Sequence, residues 1–424
     1  MSSKTVLYIC GRKSRIELIE YYAGARRLGI DVVLIADEIP TFVRAVVKDF
    51  AVVKTSDYPA VIAAADALSR KHTLSAVANW SEKDTIVRNM VARRLNLPGM
   101  TEEAALLCRD KVAMRRALET RPDLIPLFYP VQSAGDLQKA IEYIGFPGIL
   151  KPAAGSASRG IFKINSSEDG NRALRELERI VVSTRDSVFS GFDGKFIYEE
   201  FLDGPEVSVE GYSTPGGIDV VGITDKWMSE PFSLEERFIF PSIKPQVLQD
   251  EIIRKAKDVV KALGIVNSTF HLEGRCTRRG FKLLECAARP PGECIATHLI
   301  PMSMMTNHVD NSILASMGIR PAAINKPMFY ASHYILFAKR AGIFAGLEGL
   351  EEAAKIPCIE HLKVFLDRGD VVQVPPDEFL KHRIASILMR DEDYDVLVAT
   401  ADKLDRLLVP KINPKIVSVR AERA

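Results

Sequence analysis

The stretch that most restricts the folds open to this chain is Lys151-Pro-Ala-Ala-Gly-Ser-Ala-Ser-Arg-Gly160. It follows an apolar run, residues 146–150, that reads as a strand, so a lysine stands at the strand's end ahead of a small, hydroxyl-rich and glycine-rich turn. Gly155 and Gly160 permit tight turning and close backbone approach. Ser156 and Ser158 can donate hydrogen bonds to phosphate oxygens, Arg159 adds a planar fork of donors, and Lys151 adds a point charge. Together these groups can wrap a polyphosphate. The segment is not a Walker A loop, in which the lysine follows the glycines. Taken alone, it is equally a surface turn after a buried strand. The choice rests on whether acidic residues farther along can hold the metal that such phosphates require.

Glu273 and Glu285 are those residues. Two strands flank Thr277-Arg-Arg-Gly280, and a hairpin centred near residue 279 sets Glu273 directly opposite Glu285, with Phe281, Leu283 and Glu285 alternating onto one face. Like charges so placed repel each other. A shared proton or a divalent cation removes that penalty, and magnesium, which takes oxygen ligands and bridges phosphates, is the better candidate beside a phosphate loop. The other reading is an edge hairpin with both acids solvated. No cluster supports zinc, and His271 reads as an ordinary strand residue. Arg289, which opens Arg-Pro-Pro-Gly292, can face a transferred phosphate; a lone arginine there is otherwise structural or solvated. Lys111 is either a surface lysine of a helix or, where a cleft lies between domains, a second cation on the ligand that Lys151 holds.

Around these motifs the chain alternates strand and helix. Residues 5–10, 31–36, 50–53 and 75–77 read as strands, with helical spacing over 15–28, closed by Gly29, and over 60–68. This predicts a small N-terminal domain with a mainly parallel sheet. The first turn, Cys-Gly-Arg-Lys-Ser, is no dinucleotide fingerprint. Thr101 starts a helix that Glu102 and Glu103 favour, residues 107–118 continue in helical register, and Pro122 ends it. A second unit opens at Ser133 with Asp136 at capping-box spacing. Residues 169–182 and 247–263 read as helices. Residues 195–202 and 206–211 read as strands of a hairpin turned at Asp203-Gly204-Pro205. Residues 334–337, 359–366 and 396–399 suggest a third compact α/β lobe.

The 424 residues suffice for two to four packed domains. A net charge of +2, with no long Lys/Arg run, offers no face for nucleic acid. The apolar start is too short for a signal or a span, and no later segment reaches about 18 unbroken apolar residues, so the expectation is a soluble, cytoplasmic protein. Six scattered cysteines without a close Cys-x-x-Cys pair read as ordinary reduced thiols.

The ordered set Asp110-Lys111, Lys151 to Gly160, Glu199-Glu-Phe-Leu-Asp-Gly-Pro-Glu206 and Glu285-Cys-Ala-Ala-Arg289, with Glu273 on the preceding strand, resembles the ATP-grasp superfamily. Within it, the chain looks most like the carboxylate–amine ligases of the L-amino-acid ligase (dipeptide synthetase) branch. The resemblance runs over residues 1–424 in domain order and is strongest over 107–292. It implies an α/β ATP-grasp fold. An N-terminal parallel-sheet domain would occupy 1–105 and a two-lobed nucleotide-binding region 106–320, with the small lobe at about 120–203. A C-terminal α/β lobe would occupy 321–424. It also implies ATP with magnesium, for which manganese can substitute, and small-molecule carboxylic acid and amine substrates, with no nucleic acid or membrane partner; a homodimer stays open.

By the same resemblance, Lys111, Lys151, Ser156, Ser158, Arg159 and Gly160 contact the phosphates. Glu199 accepts from the adenine amino group, backbone groups at Phe201 and Leu202 complete its recognition, and Glu206 binds ribose. Glu273 and Glu285 hold the metal, while Arg289, Lys151 and Arg159 serve phosphoryl transfer. Many relatives carry Asn two residues after the second metal-binding glutamate; here Ala287 stands there, and water or substrate oxygens would fill that part of the shell. The implied chemistry forms an acyl phosphate and ADP, and an amine then displaces phosphate. Two alternatives stay open: ligation or carboxylation of a nucleotide-biosynthesis intermediate, and a non-catalytic ATP-binding regulatory protein.

Overall fold

The computed structural model describes residues 4–10, 15–155, 158–184, 187–189, 192, 194–322, 324–376, 378–379 and 381–414. β1 (Thr5–Ile9), β2 (Asp31–Ala36), β3 (Asp49–Val52) and β4 (Leu74–Asn79) form a parallel sheet in the order β3-β2-β1-β4. Every residue of β1 is buried, because helices cover both faces of the sheet. Val6 and Tyr8 pack towards Tyr21 and Trp80, while Leu7 and Ile9 pack towards Val61, Val87 and Val91. Gly29, at φ +63°, closes the helix Arg15–Arg27. β4 leads directly into residues 80–83, at the carboxyl end of the sheet, where open parallel sheets place their ligands.

β5 (Phe128–Val131), β6 (Gly148–Pro152), β7 (Phe162–Ile164) and β8 (Phe196–Glu200) form an antiparallel small lobe ordered β5-β8-β6-β7. The helices Ala134–Ile144 and Ser167–Thr184 close it over Leu137, Leu150, Leu177 and Tyr198. Ser133 caps the first by accepting from the Asp136 amide.

The remaining strands are β9 (Glu206–Thr214), β10 (Gly217–Ser229), β11 (Leu234–Phe240), β12 (Ser268–Thr277), β13 (Gly280–Ala287), β14 (Tyr330–Phe337), β15 (Gly342–Glu348), β16 (Ile359–Val364), β17 (Val371–Val372), β18 (Arg383–Asp391) and β19 (Val409–Asn413). Eight of them make one antiparallel sheet, β13-β12-β9-β10-β11-β14-β18-β16, and β17-β15-β19 make a small one. The C-terminal lobe therefore has its own core, around Tyr334, Phe344, Ile387 and Leu397, yet shares the central sheet through β14, β16 and β18. Residues 396–399 lie within the helix Tyr394–Leu407.

Three local expectations change. Residues 195–211 form no hairpin: β8 belongs to the small lobe and β9 to the large sheet, so Asp203-Gly204-Pro205 is the strap between lobes. Gly204 adopts φ +124°, and a Cβ there would lie 2.1 Å from the Cys276 carbonyl oxygen, a closeness that a free hairpin turn does not demand. Residues 107–118 are not one helix. The helix Glu102–Leu107 stops, and Asp110 caps a new one, Lys111–Ala117, by accepting from the amides of Val112 and Ala113. Finally, Glu285 does not share a face with Phe281 and Leu283. Gly274 pairs with Leu283 but Glu273 pairs with Glu285, which leaves Leu284 as an inserted bulge residue. Phe281 and Leu283 stay in the core while Glu285 turns to the other side.

Candidate active site

A cavity of about 760 Å³ lies where the small lobe, the central sheet and the N-terminal domain meet. Lys111, Lys151, Ser158, Arg159, Glu199, Phe201, Leu202, Glu206, Glu273, Glu285 and Arg289 all line it. Residues separated by up to 178 positions in sequence thus converge on one space. Ser156 lies outside the described residues. Gly160 is adjacent at φ +75°, where an added Cβ would meet Leu177 Cδ2 at 2.7 Å.

Both lysines are buried and held. Lys151 Nζ lies 2.6 Å from Glu199 Oε2. Its pKa is lowered by burial and by the nearby Arg115 and Lys111, against the pull of Glu199. Lys111 Nζ lies 2.8 Å from Glu285 Oε2, and its amide donates to the Ala153 carbonyl at 2.8 Å. Lys111 therefore belongs to the cleft and not to the surface, tied both to an acid of the sheet and to the start of the glycine loop. Glu199 is 2 % exposed, and its other oxygen accepts from Arg115 Nε at 2.7 Å. Burial alone would raise the Glu199 pKa, but Arg115 and Lys151 hold it below the usual range.

At the strap, the Phe201 amide donates to Pro147 and the Leu202 carbonyl accepts from Arg275. Lys163 Nζ sits 4.1 Å over the Phe201 ring. Glu206 accepts from Lys226 and Arg275, each at 3.3 Å.

The two opposed acids each meet a cation. Glu273 lies 2.6 Å from Lys226 and 3.1 Å from His271, and Lys226 also reaches Glu235 at 2.5 Å. His271 is thus more than a neutral strand residue. It bridges Glu210 and Glu273, and although burial opposes the charge, those two acids carry its pKa up to about 9. Glu285 is pushed up by burial and by Glu82 and Glu273, against Lys111, so negative charge there is incompletely relieved. That residual charge, presented by hard oxygen donors to a cavity that two buried lysines also line, fits magnesium. Among the described residues, no group of three or more His, Cys, Asp or Glu side chains is arranged to hold a metal. Two carboxylates suit an ion that completes its shell with water and phosphate. Ala287, opposite His271 in the strand register, is buried and adds no ligand.

Sequence reading missed Glu82, which the N-terminal domain brings into the cleft. It accepts from Arg109 at 2.6 Å and from Arg289 at 3.1 Å, and these with Lys111 pull its pKa, which burial would raise, down to about 2. Its link to Arg289 spans 207 residues, a separation at which local patterns carry no signal.

A cleft between two lobes, in which buried lysines stand beside the opposed acids, suits an enzyme that grasps a nucleotide with its metal. The ATP-grasp domain family matches residues 144–298, the ATP-grasp N-terminal domain family 22–99, and the L-amino acid ligase C-terminal domain 2 family 334–412. An uncharacterized protein, y4rH, of Sinorhizobium fredii is 26% identical over 361 residues, 82% of this chain and 71% of that protein. The alanine–anticapsin ligase of Bacillus subtilis is 30% identical over 212 residues, 47% of this chain and 45% of that enzyme. An L-amino acid ligase structure from Bacillus licheniformis superposes with a TM-score of 0.84 at 22% identity, covering 97% of this chain and 100% of that one. An N5-carboxyaminoimidazole ribonucleotide synthetase from Thermotoga maritima gives 0.71 at 17% identity, covering 96% and 99%. The chain belongs to the ATP-grasp superfamily, and the relatives it is similar to include carboxylate–amine ligases, among them L-amino-acid and D-alanine–D-alanine ligases.

Proposed function

We propose that this ligase joins an amino acid, or a related carboxylic acid, to the amine of a second amino acid, forming an amide with release of ADP and phosphate. The observation that carries the reading is the convergence of Lys111, Lys151, Glu273, Glu285 and Arg289 on one cavity that also reaches the N-terminal segment at Trp80 and Glu82. The C-terminal match to an L-amino acid ligase domain favours this subclass. Lys111, Lys151, Ser158 and Arg159 would hold the phosphates, Glu206 the ribose, and Glu273 with Glu285 the magnesium. Magnesium, when bound, neutralises charge on the phosphate oxygens.

A substrate carboxylate oxygen attacks the γ-phosphorus, and the bond to the ADP oxygen breaks. The amine then attacks the acyl carbon, loses a proton, and phosphate leaves. Arg289, fixed by Glu82, presents its donors to the oxygens on which charge develops. The walls of the cleft shield the acyl phosphate from water. The second reading, a ligase or carboxylase of a nucleotide-biosynthesis intermediate, draws on the fold likeness to the N5-carboxyaminoimidazole ribonucleotide synthetase.

An ADP-release screen over paired carboxylic acids and amines, followed by product mass, separates the two. An amide of two amino acids supports the first reading; turnover only with a ribosyl phosphate overturns it. In the same assay Glu285→Ala should lose at least about a hundredfold in rate, from the ~3 kcal/mol scale of a lost transition-state contact. Normal turnover by that variant would remove Glu285 from the metal site.

A further inference from the structure

Arg115 has no place in the roles assigned so far, yet it is a fully enclosed charge beside the cleft. It is 0% exposed and lies on the helix Lys111–Ala117, one turn after Lys111. Its guanidinium makes two anchoring contacts in different lobes. Nε donates to Glu199 Oε1 at 2.7 Å, and the terminal nitrogen Nη2 donates to the Leu284 carbonyl at 2.7 Å. Leu284 is the inserted residue of the bulge, the feature that turns Glu285 away from the core face and into the cavity. A bulge leaves a strand group without its ladder partner, and β13 is the edge strand, so among the described residues no further strand satisfies this carbonyl. Lys111, on the same helical face, grips the very next residue through the Glu285 carboxylate. The other arm of Arg115 orients Glu199, whose second oxygen holds Lys151.

We infer that Arg115 is a positioning residue that couples the metal-facing acid to the phosphate-facing lysine. One guanidinium fixes the bulge that aims Glu285 and the carboxylate that aims Lys151. The inference rests on the ATP-dependent reading above. A planar fork can serve two acceptors in fixed directions; an ammonium on a flexible stem keeps the charge and loses that geometry. The consequence is specific. Without the fork, nucleotide and magnesium stop reinforcing each other, because the two halves of their site are no longer set by one group.

The experiment is calorimetric binding of a non-hydrolysable ATP analogue, with and without magnesium, to the full chain and to Arg115→Lys and Arg115→Met, with thermal unfolding of each. The wild-type chain should bind more tightly with magnesium. Both variants should lose at least tenfold in affinity with magnesium, and the gain that magnesium gives should shrink at least threefold. Arg115→Lys, which keeps the charge, should still unfold cooperatively and decides the matter where Arg115→Met does not fold. Wild-type affinity and wild-type magnesium gain in a folded variant overturn the inference, as does an equal loss with and without magnesium, the mark of a merely structural role. A wild-type chain that binds no nucleotide overturns the functional reading itself, an outcome distinct from a variant that binds as the wild type does.

Discussion

Lys151 reaches the cleft as one member of a buried row, Arg115–Glu199–Lys151, in which a single carboxylate is shared by two cations. Such a row is stable only while complete, since a buried charge without its partner costs several kcal/mol. Lys151 therefore faces the cleft already oriented, with donors to spare beyond the one that Glu199 takes. Hydrogen bonds to charged groups contribute about 1.5–3 kcal/mol. Lys151→Ala should accordingly weaken apparent ATP affinity by about 10–100-fold. Titration of ADP release against ATP checks this, and unchanged affinity would take Lys151 out of the phosphate site. Sequence supplied the lysine through its glycine-rich sequel, but it overlooked Arg115 as a partner of Glu199. Nothing local marks an arginine within an ordinary helical run as the residue that binds a carboxylate 84 positions away.

At the scale of elements, the site depends on two irregularities. The first is the strap at Asp203-Gly204-Pro205, which hands the chain from the small lobe to the large sheet and is pinned where the Cys276 amide donates to the Pro205 carbonyl at 2.9 Å. A side chain at Gly204 would collide with backbone, not with a movable side-chain end, and would also strain φ. Gly204→Ala should therefore destabilise by about 2–4 kcal/mol, at the upper end of single substitutions; a urea midpoint within error of the wild type would show that the strap yields. The second is the bulge at Leu284. A turn centred on residue 279 does set Glu273 against Glu285 by simple counting. The actual turn pairs Thr277 with Gly280, half a residue earlier, and the inserted Leu284 restores the pairing. The opposition of the acids was legible in the sequence; the side of the sheet on which Glu285 stands was not, because one inserted residue reverses the alternation beyond it. Helix ends with chemical signals, such as Gly29, Thr101 and Ser133, were legible for the opposite reason, since a cap depends on its own few residues. Sheet membership of β8 and β9 was not, since two strands joined by a short turn look alike whether they pair with each other or with distant partners.

Across the whole molecule, the lobes are joined through seams that bury neutral histidines. His308 opens the helix His308–Ser316, whose Val309 and Ile313 pack into the N-terminal core. His333 on β14 bonds the Glu293 carbonyl at 2.8 Å and the Ser386 hydroxyl at 2.6 Å, linking the cleft loop to the C-terminal strands. His382 stacks on Phe337 at 4.6 Å. Burial lowers the pKa of each to about 4. The unfolded chain would protonate these rings near pH 6.5, as free histidine does, while the folded chain leaves them neutral until about pH 4. The unfolded state therefore binds more protons throughout that window, and stability falls as pH is lowered from about 6.5 towards 4, by up to about 1.4 kcal/mol per pH unit for each fully buried ring. Above pH 6.5 these groups contribute no slope. Urea unfolding at pH 7.0, 6.0 and 5.0 measures the effect, and His333→Gln isolates it. Glutamine can offer a donor and an acceptor in place of the ring but takes up no proton. The variant should lose some stability at every pH yet fall less steeply than the wild type on acidification, by up to one histidine's share. Parallel wild-type and variant curves would mean that His333 takes up its proton over the same pH range in the folded and the unfolded chain, and the seam between the cleft loop and the C-terminal lobe would then not respond to acid through this ring.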